Sequence, residues 1–146
     1  LIRHPERKDE LDLELALDLA LSRGASEVTV LGAFGSRFDQ SLAALLIACR
    51  LRREAGLSLQ LHDGVREGRP LVAGEEYGAP LPAGTPFSLL AVEDAVVSVS
   101  GAEYELQRRE LRFGVGLGLA NRSAGSPRLT VHSGLVVLLI RWADEG

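Results

Sequence analysis

The sequence predicts an α/β layer followed by an all-β half: part of a three-layer α/β lobe, then a lobe of packed β-strands. Three observations carry this reading. The first 56 residues run helix, strand, loop, helix, as in an α/β layered sheet. After Gly56 the pattern turns to short alternating strands separated by regular turn signals, as in a β-sandwich or barrel. Finally, 146 residues with 46% hydrophobic and 25% charged side chains can bury a real core.

The elements follow in order. In "RKDELDLELALDLALSRGA" leucine occupies every odd position from Leu11 to Leu21, an alternation that alone would suggest a strand. Residue chemistry decides for a helix, because Asp12 to Arg23 contains no β-branched or aromatic residue. Leu, Ala and Glu lose little side-chain freedom in a helix, and Gly24 supplies a left-handed terminator. The leucine content predicts burial on more than one side. "SEVTVLGAFG" reads as a short buried strand entering a Gly-containing loop. "SRFDQSLAALLIACRLRREAG" reads as a second helix, with Leu42, Leu45, Leu46 and Cys49 as its inner face. Its last turn carries arginines, which suits the helix dipole. "LSLQLHDGVREGRPLVAG" has the form of a hairpin. Strands follow within "TPFSLLAVE", "AVVSVSGAEYELQRRELRFG" and "SPRLTVHSGLVVLLIRWA". The expected division is residues 1–56 and 57–146.

Composition narrows the function. A net charge of -4 argues against sequence-independent nucleic-acid binding. No apolar run reaches the roughly 20 residues of a membrane span, and the charged start is unlike a signal peptide. The single cysteine, Cys49, suits a reducing cytoplasm and reads as a small core residue. The chain has no methionine and starts at Leu1, so a fragment or the rear part of a longer gene product is expected.

Two stretches could carry chemistry. Asp9 and Asp12 stand three residues apart at the positive end of a helix. They either hold Mg²⁺ together with phosphate oxygens or simply suit a helix start. In "GAFGSRFDQ" a strand ends, Gly32 and Gly35 free the backbone, and a helix begins. Gly35, Ser36 and Arg37 could cradle phosphate, and Asp39 could orient a hydroxyl. The alternative is a tight connection with a surface Arg37–Asp39 pair. The loop is not a Walker-type P-loop. "GVGLGLA" follows no βαβ pattern, and His4, His62 and His132 lack metal-ligand spacing.

Together these stretches resemble the thiamine pyrophosphokinase (thiamine diphosphokinase) family. "KDELDLELAL" carries Lys8, Asp9, Asp12, Glu14, Ala16 and Leu17 in register with K-D-x-T-D-x-E-x-A-L. "GAFGSRFDQSLAAL" carries Gly32, Gly35, Arg37, Asp39 and Gln40 of G-x-x-G-x-R-x-D-[HQ]-x-x-A, and "GLGLANRS" carries Asn121. The resemblance implies an α/β lobe handling ATP and a β-sandwich lobe completing a thiamine pocket, usually across a homodimer interface. It implies transfer of diphosphate from Mg-ATP to the thiamine hydroxyl. Asp9 and Asp12 would lie at the metal, with Asp12, Gly35, Ser36 and Arg37 at the phosphates. Arg37 and Asp39 would be catalytic, and Gln40 and Asn121 would contact substrate. The acids of the first helix and Arg37 are then expected around one polyphosphate-sized hollow.

The sequence also departs from the family. Its N-terminal G-D-x-D-S region is absent here, Leu11 replaces a Thr, Ala44 an Asn and Ala120 a Ser. Weak or no turnover by these residues alone is therefore expected. A non-catalytic thiamine- or nucleotide-binding module is the alternative. A purely structural descendant would have no need to keep Arg37, Asp39 and Gln40 in one run.

Overall fold

The computed structural model describes residues 11–142, with two helices and nine strands among them. The first helix, α1 (Asp12–Ser22), starts after Leu11, which offers no side-chain cap, and ends where Gly24 turns left-handed at φ 84°. The first strand, β1 (Glu27–Leu31), pairs in parallel with β2 (Ser58–His62) from Glu27↔Ser58 to Leu31↔His62. Between them runs the second helix, α2 (Phe38–Ala55), capped by Gly56 at φ 67°. Both helices cover the same face of the β1–β2 pair. Leu17 of α1 and Ala44, Ile47, Ala48 and Leu51 of α2 close over Leu59 and Leu61.

The β2 strand also opens the β half. It forms a hairpin with β3 (Arg66–Val72), and the turn is fixed by Asp63, whose Oδ1 accepts from the amides of Val65 and Arg66. Next come β4 (Glu76–Gly78), β5 (Pro86–Ala91), β6 (Ala95–Ala102), β7 (Leu106–Leu111), β8 (Asn121–Ser133) and β9 (Leu135–Arg141). β9 lies between β3 and β5, antiparallel to both. The long β8 belongs to two layers. Its start pairs with β5, and its remainder pairs with β4 and β6. The β3–β9–β5 layer and the β4–β8–β6–β7 layer enclose one core, with Phe87, Val136 and Leu138 facing Val97, Leu129 and Val131. The result is the expected α/β part followed by a β-sandwich. The short β4 and the early start of β8 were not legible as strands.

Three details differ from the sequence reading. In α1 only Leu17 is fully buried, because its packing comes from α2 and the β1–β2 face. β1 is half-buried rather than buried, and Leu31 is 78% exposed. This strand ends the sheet and has helices on one face only. On α2 the inner face is not Leu42 and Leu46, which are 44% and 53% exposed. One stripe, Ala44–Ile47–Ala48–Leu51, meets β1 and β2, while a second, Leu45 and Cys49, meets Leu135, Val137 and Leu139 of β9. Leu42 and Leu46 fall on the remaining side. Cys49 is the core residue its composition suggests.

The arginines of the last turn do more than suit the dipole. Arg52 donates from Nη1 to the Gly56 carbonyl at 2.7 Å and from Nη2 to Glu75, in the turn after β3. Arg53 pairs with Glu93, in the turn after β5. Glu75 Oε2 in turn accepts from the Val72 amide at 3.0 Å. These pairs fasten the end of α2 to the sandwich.

Arg52→Ala should lower unfolding stability by about 1–3 kcal/mol, since it strands Glu75 in a partly buried position; urea denaturation measures it. Burial raises the Cys49 thiol from 9.0 to about 11. Alkylation of the native protein at pH 8 should therefore be far slower than of the unfolded chain. Because the folded pKa lies above the unfolded one, Cys49 contributes stability below about pH 9 that is lost as pH rises towards about 11. Cys49→Ala should flatten that loss.

Candidate functional site

The chain leaves β1 at Gly32, whose amide donates to the His62 carbonyl at 2.8 Å and extends the ladder by one step. Phe34 then folds back against the core. The Gly35 amide donates to Ser41 Oγ at 3.2 Å, and that hydroxyl donates to the Arg37 carbonyl at 3.2 Å. The loop is thereby stapled to the first turn of α2.

A cavity of about 570 Å³ opens between this loop and the sheet, within the range of small-molecule sites. One wall is Phe34, Gly35 and Ser36 with Phe38, Ser41 and Leu42 of α2. The other is the β3–β9–β5 face, including Arg66, Leu139, Arg141 and Ser88, with Ala120 beside it. Gly68 lies under the floor. A Cβ there would sit 2.8 Å from Leu45 Cδ2 and 3.1 Å from Phe34 Cζ. Only glycine lets these two lining side chains settle onto the strand.

The structure distributes the sequence-predicted residues unevenly. Gly35 and Ser36 line the cavity. Arg37 and Asp39 stand just outside it and grip each other, with Nη2 donating to Oδ2 at 2.8 Å and Nε to Oδ1 at 3.3 Å. Their side chains are 66% and 68% exposed. The hydrogen bond from Arg37, and then that from the Gln40 amide, lower the Asp39 pKa, and the same contact raises that of Arg37. Gln40 is exposed and lies outside the lining.

Asn121 is buried and clasps the turn before β7. Its Oδ1 accepts from the amides of Tyr104 at 3.1 Å and Arg122 at 2.9 Å, and its Nδ2 donates to the Tyr104 carbonyl at 2.8 Å. Its neighbour Ala120, held at φ 57°, is the one that faces the cavity.

Asp12 occupies the first turn of α1, and no α1 residue lines the cavity. Glu14, in the same turn, reaches Arg50 at 3.7 Å. At about 1.5 Å per residue, Arg50 lies roughly 18 Å along α2 from its start. Glu14 therefore sits beside the rear half of α2, and Arg37 at its front. Asp9 lies outside the described residues. Among the described residues no three His, Cys, Asp or Glu side chains gather as metal donors, and no helix is long and apolar enough to cross a membrane.

The cavity also holds Phe34, Arg66 and Arg141, which sequence reasoning did not select. Alternation along β3 puts Arg66 on the Gly68 face, but the pairing with β9 is long-range and left no local signal.

The residues that form this loop and both helices are also those that match a known family. The model for "Thiamin pyrophosphokinase, catalytic domain" matches residues 1–61. Residues 1–61 are similar to that catalytic domain. No curated protein matches the chain. Solved thiamin pyrophosphokinase structures share its fold throughout. That of Bacillus subtilis superposes with a TM-score of 0.83 at 22% identity, over 94% of this chain and 65% of its own. The Geobacillus thermodenitrificans structure gives 0.80 at 22% identity, over 97% and 66%. The Candida albicans structure gives 0.70 at 16% identity, over 94% and 54%. This chain thus spans about two thirds or less of the length of these thiamin pyrophosphokinases.

Gly68→Val should push Leu45 and Phe34 into the cavity and abolish uptake of any ligand it binds. Ligand-induced change in melting temperature, compared with wild type, checks this.

Proposed function

We propose that the chain serves the reaction of a thiamine diphosphokinase, the transfer of diphosphate from ATP to the hydroxyl of thiamine with release of AMP. The observation that supports this best is the catalytic-domain match over residues 1–61, which includes the loop forming one wall of the cavity. In such a reaction the thiamine oxygen bonds to the β-phosphorus and the bond from that phosphorus to the α-bridging oxygen breaks. The hydroxyl proton passes to a base or to solvent. Chemistry of this kind rests on positioning and charge stabilisation.

Arg37 is suited to the triphosphate, because its guanidinium is exposed and stays charged. Asp39 remains ionised at neutral pH, which makes it an orienting acceptor for the hydroxyl rather than a strong base. The reaction would require the two to open from their mutual grip. Gly35 and Ser36 carry the phosphate-approach role, and Gln40 is the substrate contact nearest them in sequence. Asn121 would act by holding Ala120 and the neighbouring backbone at the cavity edge.

Asp9 and Asp12 are the carboxylates assigned to Mg²⁺, of which only Asp12 is described and which alone does not make a metal site. The ion's contribution would be to neutralise phosphate charge. A cytoplasmic homodimer completes the proposal.

The Arg37–Asp39 grip outside the cavity favours one second reading, a binding module without turnover. Calorimetry with thiamine and ATP, run beside an AMP-release assay, tests both. Thiamine-dependent AMP formation, reduced at least about tenfold by Asp39→Asn or Arg37→Ala, is expected of an enzyme. Thiamine binding with no AMP formed even at high protein concentration and long incubation would select the module; absence of thiamine binding would remove the kinase, and absence of ATP binding as well would remove both readings.

A further inference from the structure

We infer that Arg141 is a specificity-determining residue that makes the cavity select a phosphate-bearing ligand over its unphosphorylated counterpart. Arg66 and Arg141 are direct partners across β3 and β9, and both line the cavity. Like charges placed directly opposite destabilise a sheet, so each guanidinium calls for an anion. Arg66 has one. Asp63 Oδ2 accepts from its Nε at 2.8 Å and lies 2.6 Å from its Nη2. Among the described residues Arg141 has no carboxylate within ion-pair distance.

Glu67 is itself among the residues lining the cavity, but its carboxylate is engaged elsewhere. The Cβ position of Gly68 meets Phe34, Leu45 and Leu139, all cavity residues, so Gly68 and Arg66 share the cavity face. The Glu67 side chain turns to the opposite face. There its Oε2 accepts from Trp142 Nε1 at 3.0 Å, and its Oε1 lies 3.6 Å from Arg69 Nη2. Among the described residues, the cavity is therefore a mainly apolar hollow with the Arg141 guanidinium at its edge and no carboxylate paired to it.

An aromatic or heteroaromatic body suits the Phe34 and Phe38 side. A phosphate at the other end meets the geometry a guanidinium binds in two-pronged fashion, whereas a cationic head there would be repelled. This goes beyond the proposed reaction and does not depend on it, since a nucleotide and a phosphorylated thiamine both satisfy the chemistry.

The test is calorimetry at low salt on the 146-residue chain with two matched pairs, AMP against adenosine and thiamine monophosphate against thiamine. In at least one pair the phosphorylated member should bind roughly ten- to hundredfold tighter. Arg141→Gln should bring that ratio close to one without weakening the unphosphorylated member, and Arg141→Lys should restore part of it. A ratio near one in the wild type, a ratio that survives Arg141→Gln, or no binding of any probe would overturn the inference. Should Arg141→Gln fail to fold, the wild-type ratio decides. It should fall towards one as salt rises, and insensitivity to salt would count against Arg141. Selection within the AMP pair, with no binding of thiamine or its phosphate, would uphold Arg141 and remove the kinase reading. Binding of thiamine and AMP with an unaltered ratio in Arg141→Gln would do the reverse.

Discussion

The structure depends on the burial of β9 on both faces. Its sequence, Leu135-Val136-Val137-Leu138-Leu139-Ile140, has no polar alternation, because each side of the strand is covered. Val136, Leu138 and Ile140 enter the sandwich core, while Leu135, Val137 and Leu139 meet α2. Burial of apolar side chains at about 25 cal/mol per Å² makes this strand a large source of stabilisation in the fold. It also joins the two halves. The helix that covers β1 and β2 is the same one that covers β9, and the arginines at its end tie it to the turns after β3 and β5.

The cavity follows from the same packing. Towards its C-terminal half α2 lies close on β9, with Cys49 fully enclosed between Leu135 and Val137. Towards its start the helix meets the β3–β9 face through Leu45, beside the looped-back Phe34, and beyond them Arg66 and Arg141 line the hollow with Phe38 and Leu42. The site is the region where helix and sheet share no apolar contact. Its charge comes from the sheet ends, not from the helix, and this separates the cavity from the exposed Arg37–Asp39 pair.

Much of the fold was legible from residue chemistry. Leu, Ala and Glu content fixed α1 as a helix against a two-residue alternation. Gly24 and Gly56 marked where both helices stop, and the Asp63–Gly64 turn marked the hairpin. What escaped was everything set by distant partners. Whether Leu42 or Ala44 faces inward on α2 depends on the two surfaces it touches, and a single moment along the helix cannot express two buried stripes. β1 looked like a buried strand because Val28 and Val30 are apolar, but its outer face carries Glu27 and Thr29. The site was legible as a loop and not as a cavity. Gly35 and Ser36 belong to a stretch the sequence marks, while Arg141 became a partner of Arg66 only through a pairing that spans about half of the chain. Asn121 is expected at the substrate, yet its hydrogen bonds turn inward to the backbone at Tyr104.

The position of β9 also bears on how the molecule assembles. The central strand follows in sequence both its sheet partners, β3 and β5, and the helix that covers it, α2. Earlier segments emerging from a ribosome thus have no template for the middle of the sheet, and must keep β3 and β5 unpaired on that side until the final strand arrives. Contacts this remote in sequence slow folding, and open strand edges invite association meanwhile. Synthesis of this chain should therefore be sensitive to pauses late in translation far more than to pauses early.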